Sequence, residues 1–226
     1  MCGRFVSVTD ADGLVSFFTI DDVEVDGLEP NVNVAPTEQV PAVVEHHHRR
    51  ALTTFRWGLV PHWAEDLRIG NRLINARDDS LATKPAFRDA FARRRCLIPA
   101  DGFYEWRREG KRRIPFHVVS HDGAPLALAG LWALWRDPAA ADAPPVRTCT
   151  VVTTAANATV GELHDRMPVI VAREDWAEWL DREQRDTATL RHLLRPAPDD
   201  LLELRRVSQD VNSPRNKDRE LLKPVE

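Results

Sequence analysis

The chain has 226 residues, of which 43% are hydrophobic and 29% charged, with a formal net charge of −4. This composition excludes a disordered chain or a fibre, and the length predicts a single domain spanning residues 1–226. The longest apolar run, LALAGLWALW at 126–135, is shorter than the roughly 18 residues that a membrane-spanning helix needs. The N-terminus turns polar without the apolar stretch of a secretory signal. A cytoplasmic protein without membrane contact is expected, with a monomer as the default.

The first half of the chain predicts two helices between extended segments. TDADGLVSFF at 9–18 begins with a capping residue, Thr9 or Asp10. Prolines punctuate an extended stretch at 28–45, and ALTTFRWGLVPHW at 51–63 has a strand-like pattern. KPAFRDAFARR at 84–94 places two phenylalanines one helical turn apart, which predicts the second helix.

From residue 95 to residue 172 the pattern changes to strands separated by Gly, Asp and Pro turns. The predicted strands are RCLIPADGFYEW, IPFHVVS, LALAGLWALW, VRTCTVVTTAAN and MPVIVA, with a proline-rich loop at 137–145. Two further segments, REDWAEWLDRE and DTATLRHLLR, have the i, i+3, i+4 apolar spacing of helices. These elements predict an α+β fold with a mostly antiparallel sheet core.

The cysteine and histidine patterns predict neither a disulfide framework nor a metal site, and no cofactor is expected. Three cysteines, Cys2, Cys96 and Cys149, are an odd number without a CxxC pair. Cys96 and Cys149 lie in apolar runs and are expected to be small buried side chains. The adjacent histidines at 46–48 do not share a helix face and are typical of a polar turn.

Cys2 is exceptional because it directly follows Met1. Removal of Met1 would leave an α-amino group and a thiol on one residue, with reference pKa values of about 7.7–8.0 and 8.5. Such a pair condenses with an aldehyde to an imine, which the thiolate closes to a thiazolidine. With an acyl substrate the thiolate would instead act as a nucleophile with its own amine as the base. A small residue at the second position also favours efficient translation. This second interpretation of Cys2, without any chemistry at the thiol, has the same weight as a reactive terminus.

Three other segments place polar groups in apolar contexts. Glu105 lies among aromatic residues in GFYEW, where a carboxylate either points inward and is suited to proton transfer, or points to solvent. His164 precedes a strand and is suited to proton donation, although a lone histidine is more often structural. Asn75 and Arg77 are two apart, so in an extended segment both face the same side.

Basic residues cluster in the middle of the chain, although the net charge is negative. A solvated surface is the simpler interpretation, and a basic face for nucleic acid is the alternative. The residues are Arg93, Arg94, Arg95, Arg107, Arg108, Lys111, Arg112 and Arg113.

Taken in order, ten motifs resemble the SRAP family, the SOS-response-associated peptidases or abasic-site-processing proteins. They are MCGRF, NVAP, RWGLVPHW, NAR, RCLIPADGFYEW, AGLW, TTAAN, HDRMPVIV, WAEWL and VNSPRN. The resemblance runs from Cys2 to about Asn216. It implies a barrel-like or sandwich-like β core flanked by helices, and a protein that binds single-stranded DNA and links itself covalently to abasic sites.

The resemblance also implies the roles of individual residues. Cys2 matches the nucleophile that forms the thiazolidine, Asn75 matches the asparagine at the crosslink, and Glu105 matches the glutamate beside the new N-terminus. His164 matches the histidine that protonates the sugar ring oxygen. The implied or suggested DNA contacts are Arg4, Arg77, Arg166, Thr153, Trp57 and Trp63, where the two tryptophans are alternatively core residues. Asp79 departs from the family pattern NARxE, so contacts that need the longer glutamate are in doubt.

Two other functions compete with this interpretation. One is an N-terminal-nucleophile amidohydrolase or peptidase, including self-cleavage, and an associated lyase activity is also open. The other is a non-covalent single-strand binder in which Cys2 is incidental.

Overall fold

A computed structural model describes residues 2–140 and 142–225. Within these ranges the α-helices are α1 Ala11–Phe18, α2 Arg88–Arg93, α3 Ala158–Gly161 and α4 Trp176–Leu180. The strands are β1 Phe5–Ser7, β2 Asp22–Val23, β3 Asn31–Val34, β4 Gln39–His46, β5 Arg49–Trp57, β6 Asn75–Arg77, β7 Arg95–Ala100, β8 Gly102–Glu109, β9 Arg112–Ser120, β10 Leu126–Trp135, β11 Val146–Ala155, β12 Arg166–Pro168 and β13 Leu202–Arg206. This is the predicted α+β fold, and most strand pairs are antiparallel.

Five strands form a closed ring. In the larger sheet β11, β10, β7, β4 and β5 are neighbours in that order, and β5 also pairs in parallel with β11, where Cys149 lies opposite Trp57. Closure removes the unpaired edges that an open sheet would expose. Side chains alternate across these strands, so Val40, Ala42 and Ile98 join one apolar cluster. The intervening side chains pack beneath α1, α2 and α4 in a second cluster.

The smaller sheet places the N-terminus against this ring. Its strand order is β13-β9-β8-β1-β3, and β1 pairs antiparallel with β8 with Phe5 opposite Phe103. One face carries Phe5, Phe103 and Cys2 into the same cluster as the ring. The other face carries Val6 and Tyr104 into a separate cluster beneath the C-terminal segment. Cys2 therefore lies between the two sheets.

The predicted start of α1 is correct, whereas the predicted bounds of one strand and one helix need correction. α1 is capped as expected, with the Asp10 side chain accepting the Gly13 N–H at 2.9 Å. The strand predicted over 51–63 ends at Trp57, because the next residue, Gly58, has a φ of +124°. Gly58 also packs closely against Gly70: a Cβ on Gly58 would lie 2.6 Å from the Gly70 carbonyl oxygen. The helix predicted in 84–94 begins only at Arg88.

The segment DTATLRHLLR forms a 3₁₀ helix, Thr189–Leu193, where the apolar spacing predicts an α-helix. Leu190 and Leu193 are both buried. Their three-residue spacing puts both side chains on one face of a 3₁₀ helix, which has three residues per turn.

His117 on β9 predicts acid sensitivity of the fold. Its ring is 5% exposed and packs 5.1 Å from the Tyr104 ring, and neither ring nitrogen has a hydrogen-bond partner among the described residues. Burial, followed by the nearby Arg205 guanidinium, lowers the pKa of His117 to about 4. The folded state therefore disfavours the charged ring, so its stability is full above pH 6.5 and falls as the pH drops towards 4.

We expect the free energy of unfolding to fall by up to about 3 kcal/mol across this interval. Urea unfolding at a series of pH values measures it. His117→Phe should flatten the profile between pH 6.5 and 4, whereas the same change at the exposed His48 should leave it unaltered. An unchanged profile in His117→Phe would assign the acid sensitivity to other groups.

Candidate functional site

Cys2 is fully buried and lies three residues before the start of β1. Its Sγ lies 3.8 Å from the Arg4 carbonyl oxygen. Burial raises the pKa of the Cys2 thiol to about 12, and the Glu105 carboxylate adds to the increase. With Met1 still attached, the thiol is therefore protonated at neutral pH and is a weak nucleophile.

Strand pairing brings Glu105 to Cys2. The Tyr104 N–H donates to the Arg4 carbonyl at 2.9 Å, which continues the β1–β8 ladder towards Cys2. Tyr104 faces the outer cluster, so its neighbour Glu105 faces inward on the same side as Phe103. Glu105 is 4% exposed, and its effect on the Cys2 pKa places the carboxylate within electrostatic reach of the thiol. Of the two orientations open from the sequence, the inward one is correct.

Asn75 holds the backbone of Cys2. It lies on β6, which pairs in parallel with β11 so that Asn75 is opposite Val151. Its Nδ2 donates to the Cys2 carbonyl oxygen at 2.8 Å. Its Oδ1 is shielded from solvent and accepts no hydrogen bond from the described residues. A buried acceptor without a donor is costly, so this oxygen is suited to receive a hydrogen bond from a ligand at Cys2.

His164 lies at the same end of β11. β12 pairs with β11 so that Thr153 is opposite Pro168, while β6 places Arg77 opposite the same threonine. The His164 Nδ1 accepts the Arg166 N–H at 3.0 Å when the ring is neutral. It is also 2.7 Å from the Asp165 carboxylate, which pairs with the ring when it is protonated. The side chain is 33% exposed, so a ligand at this end of β11 can reach it.

Two of the three predicted arginine contacts differ in how firmly the protein holds them. Arg77 is 57% exposed and pairs with Asp79 at 2.7 Å. Arg166 is 14% exposed, and it donates to Asp78 at 2.7 Å and to the Thr153 carbonyl. Arg77 is therefore the more accessible of the two for an anionic ligand.

The third, Arg4, holds the C-terminal segment to the N-terminus. Its guanidinium donates to Asn33 Oδ1 at 2.7 Å and to the carbonyls of Val211 and Asn212 at 3.0 and 3.1 Å. The fully buried Asn33 in turn donates to three carbonyls of residues 211–216. These contacts use most of the Arg4 donors within the protein.

The remaining predicted DNA contacts differ in burial: Thr153 and Trp57 are buried, and Trp63 is exposed. The Thr153 side chain is fully buried and accepts from Arg166 at 3.3 Å. Trp57 is also fully buried, and its Nε1 donates to the Ile74 carbonyl at 2.9 Å. The stacking role suggested for Trp57 is therefore wrong, because a buried ring has no free face, and the core alternative is correct. Trp63 is 51% exposed and offers a free face.

The structure adds residues that the sequence patterns do not reveal. Asp78, the first aspartate of NARDD, accepts from Arg166 and from the Thr154 hydroxyl. Trp106 is half-buried in a groove of about 570 Å³. The groove is lined by Arg4, Trp106, Lys111, Arg113, Gln209 and Asn212. The basic run in the sequence points to this groove, whereas nothing local in the sequence points to Asp78.

The expected burial of Cys96 and Cys149 and the expected polar turn at the histidine run are confirmed. Cys96 and Cys149 are free thiols and fully buried. His47 and His48 form the exposed turn between β4 and β5, with φ values of 50° and 61°. Among residues 2–140 and 142–225, no group of three or more His, Cys, Asp or Glu side chains is arranged to hold a metal ion. None of the helices in these ranges is long and apolar enough to cross a bilayer.

The fold and the site together define a class of proteins in which a closed β ring buries a cysteine next to an asparagine and a glutamate. The family model described as SOS response associated peptidase (SRAP) matches residues 1–214, and the chain belongs to this family. It is similar to the abasic site processing protein YoqW of Bacillus subtilis, with 40% identity, 98% of this chain covered and 99% of YoqW. It is also 40% identical to the abasic site processing protein YoaM of the same organism, covering 98% of this chain and 97% of YoaM.

Solved structures show the same fold. An X-ray crystal structure of a protein from Bacteroides thetaiotaomicron superimposes with a TM-score of 0.89 and 23% identity, covering 100% of both chains. At this identity the likeness concerns the fold alone.

Proposed function

We propose that this protein processes abasic sites in single-stranded DNA by linking itself covalently to the opened sugar through Cys2. The observation that carries the proposal is the arrangement of the buried Cys2 and Glu105 with the half-buried Asn75. The relatives named abasic site processing proteins support the choice of substrate. The protein is proposed to act as a monomer in the cytoplasm, bound to the nucleoid when it holds DNA.

The reaction needs a free Cys2 amine and an aldehyde. An abasic deoxyribose is mostly a closed hemiacetal. His164 donates a proton to the ring oxygen as the C1–O bond breaks, while the C1 hydroxyl loses its proton to solvent and becomes the aldehyde. Glu105 takes a proton from the Cys2 ammonium, because only the neutral amine attacks the aldehyde carbon. Loss of one water gives the imine, and addition of the Cys2 thiol across the C=N bond gives the thiazolidine. The net reaction releases one water and needs no oxidant or reductant.

Asn75 orients the nucleophile in this scheme. Its Nδ2 fixes the Cys2 carbonyl, so the amine and thiol of Cys2 have one orientation relative to the incoming sugar. The Asn75 Oδ1, which accepts nothing from the described residues, is positioned to accept a hydrogen bond from a sugar hydroxyl or from the new ring nitrogen.

The test is a crosslinking assay. Purified protein, with removal of Met1 checked by intact mass, is mixed with a single-stranded oligonucleotide carrying one abasic site and separated on a denaturing gel. A heat-stable slow band supports covalent attachment. If Cys2 is the N-terminus and no band forms, the crosslinking proposal fails. Cleavage of peptide substrates would then favour the peptidase alternative, and retained affinity alone would favour the non-covalent binder.

Asp79 gives a separate prediction about DNA binding. Its carboxylate pairs with Arg77 at the protein surface and competes with a DNA phosphate for that guanidinium. We expect Asp79→Asn to bind single-stranded DNA about threefold tighter at low salt, because one repulsive charge is removed and Arg77 is freed. Fluorescence anisotropy against salt concentration measures this change, with Glu109→Gln as a surface-charge control. Weaker binding by Asp79→Asn would mean that the pair positions Arg77 for the phosphate.

A further inference from the structure

A second concave site lies at the other end of the ring from Cys2. Its volume is about 610 Å³, within the size range of ligand pockets. The lining residues are Glu45, His46, His47, His48, Arg93, Arg94, Trp132, Leu134, Asp181, Arg182, Glu183 and Arg185. Along β11, Arg147 lies opposite Leu134, and Val151 lies opposite Asn75, which holds Cys2. Four residues of strand at roughly 3.3 Å each separate these two levels by about 13 Å.

Three guanidinium groups converge on this pocket without a carboxylate partner. Arg93, Arg94 and Arg182 form no ion pair with the described residues. The Arg94 Nε is shielded from solvent and has no acceptor among them. Burial, and then the charges of Arg93 and Arg182, lower the pKa of Arg94 against an opposing effect of Asp89. Mutual repulsion of this kind is relieved by a bound anion.

The neighbouring Arg95 differs from the pocket arginines in its contacts. Arg95 is buried and donates to the carbonyls of Phe91, Trp179 and Gln184, among others. Its donors are therefore used within the fold, whereas the two arginines before it point to the pocket. The third pocket arginine, Arg182, hydrogen-bonds to the ring of His46.

The floor of the pocket is apolar. Trp132 is half-buried and stacks on Phe55 at 5.5 Å, and Leu134 is 42% exposed. The pocket carboxylates are already engaged: Glu183 lies 3.6 Å from Arg185, Glu45 lies 3.9 Å from Arg50, and Asp181 accepts the Glu183 N–H. The pocket therefore offers free cations around an apolar surface.

We propose that this pocket binds an acidic peptide segment of a partner protein. Peptide carboxylates pair with Arg93, Arg94 and Arg182, whose planar donors match carboxylate geometry. An apolar peptide side chain covers Trp132 and Leu134.

A peptide fits this lining better than a nucleic acid does. Glu45, Asp181 and Glu183 interrupt the positive surface of the pocket, so its cations suit separately placed peptide carboxylates better than a phosphate backbone with one charge per nucleotide. A peptide backbone also supplies N–H donors to the oxygens of these three carboxylates. This surface is separate from the site proposed for DNA, so its function does not depend on crosslinking.

The test uses fluorescein-labelled Glu-Asp-Leu-Glu-Phe-Asp as the probe in fluorescence anisotropy. We expect binding that disappears for the matched peptide with Gln and Asn in place of the acids. The double variant Arg94→Gln, Arg182→Gln should bind at least about tenfold more weakly, because it removes two charge-assisted hydrogen-bond donors. Leu134→Ser should bind about fivefold more weakly. The matched control is Arg68→Gln, an exposed arginine paired with Asp66 outside the pocket, with thermal unfolding to check each variant's fold.

Three results would overturn the proposal. They are no binding by the wild-type protein up to millimolar probe, equally weakened binding in the Arg68→Gln control, and displacement of the probe by an intact single-stranded oligonucleotide in a manner that depends on Arg94 and Arg182. The last result would assign the pocket to nucleic acid. Crosslinking to abasic DNA should be unchanged in the double variant, which separates this inference from the proposed function.

Discussion

Cys2→Ala is expected to abolish the covalent product with abasic single-stranded DNA. The alanine variant keeps an N-terminal amine but lacks the thiol that closes the thiazolidine, so at most a hydrolysable imine remains. We expect no heat-stable band on a denaturing gel, a decrease of at least about 100-fold in crosslinked product, in the range that a removed nucleophile typically costs. Non-covalent affinity should change much less, because the arginines are intact.

Two variants sharpen this result. Cys2→Ser should form an imine that borohydride reduction traps, because serine keeps the amine but closes the ring poorly. Cys149→Ala removes a different buried thiol and should retain crosslinking, provided that its thermal stability is checked. A stable band from Cys2→Ala would mean that another group makes the bond, and would remove the basis of the proposal.

Glu105→Gln is expected to slow crosslinking by about 100-fold at neutral pH, the lower end of what a positioned general base contributes. Glutamine is nearly isosteric with the buried glutamate, but it cannot take a proton from the Cys2 ammonium. The change should affect the rate of product formation more than DNA affinity. Single-turnover time courses over a pH series measure it, and the deficit should shrink as the pH rises and the amine deprotonates without help.

The same variant should have an opposite effect on the thiol. Because the Glu105 carboxylate raises the pKa of Cys2, its removal lowers that pKa, as measured by the ultraviolet absorbance of the thiolate. If Glu105→Gln reacts more slowly although its thiol is more acidic, the carboxylate acts by proton transfer at the amine and not by activating the thiol. Glu109→Gln, an exposed change on the same strand, is the matched control. Equal crosslinking rates in Glu105→Gln and wild type would exclude a general-base role.

The fold holds Cys2 in one position although this residue lies near a chain terminus. Termini are usually mobile unless a strand or other contact holds them. Here β1 is paired on both sides, by β3 and β8, and Asn75 holds the Cys2 carbonyl. Arg4 and Asn33 tie residues 211–216 over the same strand. Stable placement of the N-terminus therefore depends on contacts from across the whole chain.

Local sequence patterns predict the elements well where they depend on neighbouring residues. The Asp10 cap of α1 and the turn at His47 and His48 follow from local chemistry. Element ends are less predictable, because tertiary contacts set them: Gly58 ends β5 where the chain packs against Gly70, a contact between segments twelve residues apart.

The α+β class, the burial of Cys96 and Cys149, and the family membership that ten ordered motifs indicate can all be inferred from the order of residues along the chain. The inward direction of Glu105, the core position of Trp57 and the hold of Asp78 on Arg166 depend instead on the folded arrangement. Strand alternation allows either face to be buried until the partner sheet is known. Whether a charged side chain binds a ligand or the protein depends on which distant groups folding brings beside it, and those distances are not encoded in any short stretch of sequence.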